Sequence, residues 1–394
     1  MLNRHFVIIG ASAAGIAVIN RVRRLAPAAK ITCISQEKEL PYNKCLLADF
    51  LAGTKQHDQV LLPISDHAGT GFLFNTSVVA INSTEKTVHC SDGSIVGYDA
   101  LFLGLGSSPV MPNFVTEYSL QGLYAFHTLA DTFQLLDAIK MRSIKRAVVV
   151  GGGLSGLECA DVLIRSDITT VLIERQAGLL PNFLNDHASN FLQSQIEALG
   201  GTVLTNQSVC AIESEQNKVI GVRLESGQLF DADAVIIATG VRPNTKLAQE
   251  AGILIGRQGI TVNSYLQTST PDVYAGGDAI EIVDTLKNQL IASCTWPDAM
   301  LQGLHAAQAM VGQPKEYKGA AIIVSSSFFG LDFARAGLME QCHDDDRFVL
   351  REGIDYCNQY LVNAGRLKGF CVLGKRHNLS QLKRVILTGE PFLT

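Results

Sequence analysis

The sequence predicts an α/β fold built on two copies of one supersecondary unit, followed by a small α+β domain. Three observations carry that prediction. A short β-branched run enters a glycine turn and an apolar helix at FVIIGASAAG, residues 6–15. The same arrangement returns at RAVVVGGGLSGLECADVL, residues 146–163. The chain has 394 residues, 47% of them hydrophobic and 18% charged, with 35 glycines. It is too long for one ordinary core and too apolar to be disordered, so two or three turn-rich domains are expected.

In the first unit FVII reads as a buried parallel strand, and the helix after GASAAG ends near Arg24. Gly10 permits the tight turn and Gly15 lets helix and strand approach. The backbone N–H groups between them, at Ser12, Ala13 and Ala14, join the helix dipole to make a pyrophosphate cradle. Ser12 stands where this turn usually has its middle glycine. After KITCI the strand end is Ser35, so an acid that reaches a ribose must come from the following loop, where Glu37 is the candidate. The second unit has all three glycines, Gly151, Gly153 and Gly156, and its next strand, TTVLIE, ends at Glu174. At that offset a carboxylate binds the two ribose hydroxyls of an adenosine. The pair predicts two Rossmann-like dinucleotide-binding domains.

Composition removes other classes. A net charge of -5 leaves no basic surplus for nucleic acid. No stretch approaches the roughly 18 apolar residues of a membrane span. The start, MLNRHFVIIGASAAGIAVI, has signal-peptide features, but it also satisfies the strand, turn and helix pattern and is read as structure. The nine cysteines are odd in number and scattered without CxxC, against both a disulfide framework and structural zinc and in keeping with a reducing, cytoplasmic setting. No metal site is expected. His127 and His305 read as surface or satisfied core residues, and the aspartates at 344–346 as a solvated loop.

With its two turns about 140 residues apart, the chain resembles the pyridine nucleotide-disulfide oxidoreductases, flavoproteins with an FAD domain into which an NAD domain is inserted. YDALFLGLGSSP (98–109) resembles the first crossover out of the FAD domain, with Gly104-Leu105-Gly106 in place of Ala-Thr-Gly. DADAVIIATGVRPN (231–244) carries the second crossover, with Gly240, and TSTPDVYAGGDAI (268–280) the late FAD motif. The resemblance implies an FAD domain over 1–110 and 241–316, an NAD(H) domain over 111–240 and a C-terminal domain over 317–394. The cofactors implied are FAD and NADH. Asp278 would hold the ribityl chain, with Gly277 allowing close approach. Gly106, Val79 and Trp296 complete the flavin-side candidates, core packing being the alternative for Trp296. TWPDAMLQGLHAAQAM reads as a helix with Pro297 in its first turn, its dipole facing the negative charge that a reduced flavin carries. Beside Glu174, a 2′-phosphate meets repulsion of about 1 to 4 kcal/mol per charge pair at ~4 Å, which favours NADH over NADPH. Arg175 softens that preference.

Hydride transfer between such cofactors needs positioning more than acid or base catalysis. Glu158 matches a family position near the nicotinamide, with a helix-surface carboxylate as the alternative. The family's paired cysteines are absent, and Ala13 stands where the peroxidase branch has histidine. Cys45, in ELPYNKCLLADF, lies ten residues after Ser35, the offset of the redox thiol in single-cysteine members. The same loop resembles the LPYxRPxLSK of rubredoxin and ferredoxin reductases, with Lys44 at the arginine and Asp49 at the lysine that meets the flavin. At a helix start beside Lys44 the thiol is either partly thiolate or inert packing. In the tail YLVNAGRLKGFCVLG reads as a hairpin, and the tail's length, under 80 residues, and its GRLKGFCVLG stretch resemble the rubredoxin-reductase and nitrite-reductase-related branch. Two acceptors follow: a small redox protein, or a disulfide, persulfide, sulfur or coenzyme A disulfide acting through Cys45. A third reading is an apoptosis-inducing-factor-like protein whose cofactors govern association. A homodimer is left open.

Overall fold

The computed structural model describes residues 4–63, 70–117, 119–293, 295–340, 344–374 and 378–392. Cys294 and Cys342 lie outside them. The chain divides into two compact units. One comprises Met1–Cys45, His57–Ser108 and Arg242–Ile322, the other Leu46–Gln56, Pro109–Val241 and Ile323–Thr394.

The first unit is built on a five-stranded sheet in the order Val273–Ala275, Ala100–Leu103, His5–Ile9, Lys30–Ile34, Thr70–Leu73, with every pairing parallel. Ala100–Leu103 and Val273–Ala275 are buried throughout, and His5–Ile9 and Lys30–Ile34 at all but their first residue. This is why FVII reads as an unbroken apolar run: a parallel sheet is covered on both faces. The chain leaves His5–Ile9 toward one neighbour and returns on its other side, so a topological switch point lies at the carboxyl end of that strand. The helices Ala13–Leu25 and Trp296–Met310 pack against each other.

The second unit repeats the plan with Thr202–Leu204, Thr169–Ile173, Arg146–Val150, Ala234–Ile237 and Leu123–Ala125, again all parallel. Val148, Val150, Ile173, Val235 and Ile237 continue into a buried cluster with Val219, Val222 and Leu224 of an antiparallel three-stranded sheet. The short helix Leu47–Leu51 belongs here, packing on helices Leu129–Lys140 and Leu154–Arg165 with the Phe50 and Phe133 rings edge to face at 5.2 Å.

The tail contributes a five-stranded sheet in the order Ile323–Phe328, Leu331–Gly337, Arg366–Gly374, Tyr356–Asn363, Arg347–Gly353, with all pairings antiparallel. The expected hairpin is present: Ala364 and Gly365, at φ 47° and 70°, form the two-residue turn that matches strand twist. Helix Leu379–Thr388 lies against strand Arg366–Gly374, completing an α+β domain. Among the described residues no helix is long and apolar enough to cross a membrane.

Candidate functional site

In the first unit the carboxyl ends of the parallel strands carry Gly10, Ser35, Gly104 and Gly276. The turn after His5–Ile9 is tight enough that a Cβ on Gly15 would stand 1.9 Å from the Gly10 carbonyl oxygen, so residue 15 has to be glycine. Ser12 caps helix Ala13–Leu25 without a side-chain hydrogen bond, and the first turn holds no acid. Its N–H groups are therefore left for an anion. Ala13 and Ala14 are buried at the start of that helix.

Asp278 follows Gly277 and accepts a hydrogen bond from the Ser107 hydroxyl at 2.9 Å. The Gly277 N–H donates to Oε1 of the fully buried Gln302 at 2.7 Å, and Gln302 Nε2 donates to Ser293 at 3.0 Å and to the Tyr317 hydroxyl at 3.3 Å. Burial pushes the Tyr317 hydroxyl up to about 12, so it stays protonated. Glu37 is half-buried, held by the Tyr42 hydroxyl at 2.6 Å and facing Lys44 Nζ at 3.8 Å. Gly106 has φ 65° and open space where a Cβ would go. Trp296 is half-buried at the first turn of its helix, where Thr295 is the N-cap and Pro297 sits as expected. That turn also carries Asp298, hydrogen-bonded to Thr295, and burial raises its pKa. To the extent that Asp298 ionises, its charge opposes the helix dipole. Val79 is 55% exposed at a register shift in strand Val78–Asn82.

Cys45 is exposed, which removes the reading as buried filler. It lies in a one-turn 3-10 helix, Lys44–Leu46, with its N–H donating to Asn43 Oδ1 at 3.0 Å.

In the second unit the glycine turn is repeated closely. A Cβ on Gly156 would meet the Gly151 carbonyl oxygen at 2.0 Å. Gly153 differs: its Cβ would meet nothing within 4 Å, so no packing inside the chain demands glycine there. The open space there would admit a ligand at close range. Gly153 is also the N-cap of helix Leu154–Arg165, with no side-chain cap bond and no acid in the first turn. Glu174 is 7% exposed and accepts from Gly152 N–H at 2.7 Å and Gln176 N–H at 2.8 Å. Both carboxylate oxygens are thus oriented, and each keeps a lone pair for a ribose hydroxyl. Gly240, at φ 99°, leaves open space at the end of the Ala234–Ile237 crossover, and its carbonyl accepts from Val110 N–H at 2.9 Å.

Glu158, on helix Leu154–Arg165, accepts a 2.5 Å hydrogen bond from the Ser326 hydroxyl of the C-terminal sheet, so it is no free surface carboxylate. Burial raises its pKa; the Ser326 bond lowers it and the charge of Asp49 raises it further. Asp49 itself is exposed in helix Leu47–Leu51, its Oδ1 accepting from the Thr54 hydroxyl at 3.2 Å. Ser107, Gln302, Tyr42 and Ser326 were not legible as site residues, although Tyr42 lies inside the LPYNK stretch, Ser107 inside the first-crossover motif 98–109 and Gln302 inside the helix that follows Thr295. Among the described residues no group of three or more His, Cys, Asp or Glu is placed to hold a metal ion.

Residues 4–309 match the pyridine nucleotide-disulphide oxidoreductase family. An NADH oxidase of Methanocaldococcus jannaschii is 30% identical over 341 residues, 84% of this chain and 75% of that protein. The nitric oxide reductase FlRd-NAD(+) reductase of Salmonella paratyphi C is 30% identical over 377 residues, 94% of this chain and 96% of that protein. The fold superposes with a TM-score of 0.89 and 26% identity on a chain of the covalent putidaredoxin reductase-putidaredoxin complex, covering 98% of this chain and 94% of that one. With both glycine turns and both crossovers in family order, the chain belongs to the pyridine nucleotide-disulphide oxidoreductase family and is an FAD- and NAD(P)H-binding oxidoreductase.

Proposed function

We propose that the protein takes hydride from NADH onto FAD and hands the electrons to a small redox protein. The observation that carries this reading is near full-length similarity to a reductase named for its FlRd partner, supported by a matching fold captured with putidaredoxin. In this reading residues 1–110 and 241–316 hold FAD through Gly10, Ser12, Ala13, Ala14, Gly15, Glu37, Lys44, Val79, Gly106, Gly277, Asp278 and Trp296. Residues 111–240 hold NADH through Gly151, Gly153, Gly156, Glu174 and Gly240. Asp49 faces the flavin, and Glu158 lies on the nicotinamide side.

FAD, when bound, accepts a hydride as an electron pair and releases electrons one at a time. The chain's own groups do the rest. The uncapped N-termini of helices Ala13–Leu25 and Leu154–Arg165 bind pyrophosphates. Ser107 and Gln302 hold the Gly277-Asp278 turn in place. Glu174 selects NADH, since a 2′-phosphate would have to sit against a carboxylate already fixed by two backbone N–H groups. Ser326 orients Glu158, whose carboxyl burial makes easier to protonate than an ordinary carboxylate.

The test is NADH-dependent reduction of purified rubredoxin- and ferredoxin-type proteins under anaerobic conditions. Failure with all of them, alongside rapid reduction of a disulfide or polysulfide, would transfer the assignment to the second reading. That reading, a disulfide, persulfide or coenzyme A disulfide reductase, is favoured by the exposure of Cys45. It requires Cys45→Ser to abolish turnover and any long-wavelength charge-transfer band.

A further inference from the structure

Strand Thr169–Ile173 delivers Glu174 and then runs into a loop that ends at helix Asp186–Ala198. One side of this loop is tied to the second glycine turn. Leu180 N–H donates to the Gly152 carbonyl at 2.9 Å, and the Leu179 side chain lies so close that a Cβ on Gly152 would stand 2.7 Å from its Cδ2. Leu179 N–H is taken in turn by Ser189 Oγ at 2.7 Å. Leu180 is 1% exposed and sits at φ 48°, a left-handed conformation that a leucine keeps only where its surroundings impose it.

The other side of the loop is tied to the C-terminal sheet. The Phe183 ring meets Phe333 edge to face at 5.9 Å, and the Arg335 guanidinium lies 5.8 Å over it. Gln359, 4% exposed, donates from Nε2 to Asn185 Oδ1 at 2.8 Å. His187 and Glu352 meet at 2.5 Å, both half-exposed. The same sheet sends Ser326 to Glu158, on the helix that starts at the glycine turn. The sheet therefore reaches the turn by two routes, through the adenosine-side loop and through the helix behind it.

We propose that the C-terminal sheet is a working part of the pyridine nucleotide site, with Gln359 and Phe183 as positioning residues that set dinucleotide affinity. The proposal rests on the reading that the second glycine turn takes NAD(H). A loop released from the sheet draws Leu180 away from the Gly152 carbonyl and loosens the turn whose N–H orients Glu174. Among the polar ties Gln359 transmits most, because its amide is buried at 4% exposure and loses its acceptor if the loop moves off, although Asn185 at the other end of the bond is exposed. The His187 pair, screened on the surface, transmits little.

The experiment is calorimetric titration of the FAD-loaded protein with ADP-ribose. Gln359→Leu, and the milder Phe183→Leu, raise the Kd roughly three- to tenfold, the range that one net hydrogen bond spans. KM for NADH rises with it while kcat at saturation and the visible flavin spectrum hold. His187→Ala moves the Kd less than about twofold, as a screened surface pair should. An unchanged Kd in both Gln359→Leu and Phe183→Leu, with melting curves showing them folded, overturns the proposal. A native protein that binds FAD but no ADP-ribose overturns instead the assignment of the second turn.

Discussion

Replacing Glu174 by Gln isolates its charge while keeping its shape. The native carboxylate accepts from two backbone N–H groups, Gly152 and Gln176, at 2.7 and 2.8 Å, one on each oxygen. A glutamine offers a single acceptor oxygen, so one of the N–H groups loses its partner at a cost of about 1 to 3 kcal/mol. The variant should therefore melt several degrees lower and bind NADH more weakly. For NADPH the sign differs, because removing one negative charge at ~4 Å from the 2′-phosphate relieves about 1 to 4 kcal/mol per charge pair. Taking the lower half of that range for a site open to water on the ligand side, the ratio of kcat/KM for NADH over NADPH should fall about tenfold or more. Steady-state rates with ferricyanide as acceptor measure the ratio without a protein partner. A folded variant whose ratio moves less than about twofold would refute the idea that this carboxylate selects the cofactor.

Gly156→Ala puts a Cβ 2.0 Å from the Gly151 carbonyl and Gly15→Ala puts one 1.9 Å from the Gly10 carbonyl, so each should cost about 3 kcal/mol or more. The first should impair NADH binding with FAD retained, the second FAD retention itself; equal loss of both in both variants would contradict two separate turns. Glu158 has a pKa raised chiefly by burial. Its ionised form is disfavoured in the fold, so native stability is lost as pH rises through the ordinary carboxylate range toward the raised value. The melting temperature of Glu158→Gln relative to the native protein should accordingly climb from about pH 4 upward, and a flat difference to about pH 8 would count against that environment. In native protein, alkylation followed by peptide mapping should modify exposed Cys45 and Cys210 well before buried Cys33, whose thiol burial raises to about 12, or buried Cys159. Equal rates at Cys45 and Cys33 would refute the exposure of the LPYNKC loop.

What was legible in the sequence was local. FVIIGASAAG and RAVVVGGG specify a buried strand and a tight turn within a few residues, and Glu174 sits at the end of a strand whose length fixes its offset. The tail hairpin was legible because Ala364-Gly365 interrupts two apolar runs. What escaped were partners distant in sequence. Ser326 and Glu158 are 168 positions apart, and one serine among the three of SSSFF carries no pattern that names its acceptor. Gln302 looked like one more polar residue on an alanine-rich helix, yet it is fully buried, its amide oxygen accepting from Gly277 N–H and its amide nitrogen donating to Ser293 and Tyr317. ELPYNKCLLADF read as one loop; the fold parts it, Cys45 with the first unit and Asp49 with the second, since Leu47, Phe50 and Leu51 are buried on a helix face that packs beside Phe133.

Six helices have ten or more residues, among those described. Four of them start on a Thr or Asn side chain that closes their first turn: Leu129–Lys140, Asp186–Ala198, Trp296–Met310 and Leu379–Thr388. The two that follow the glycine turns have no such closure. An N-cap contributes about 1 kcal/mol, and in the proposed reading the chain leaves that contribution to its cofactors. Thermal stability then becomes a reporter of nucleotide supply. Each ligand at a hundred times its dissociation constant adds about 2.7 kcal/mol to the folded state, and cells short of flavin would hold this enzyme in a form more open to proteolysis than its sequence alone requires.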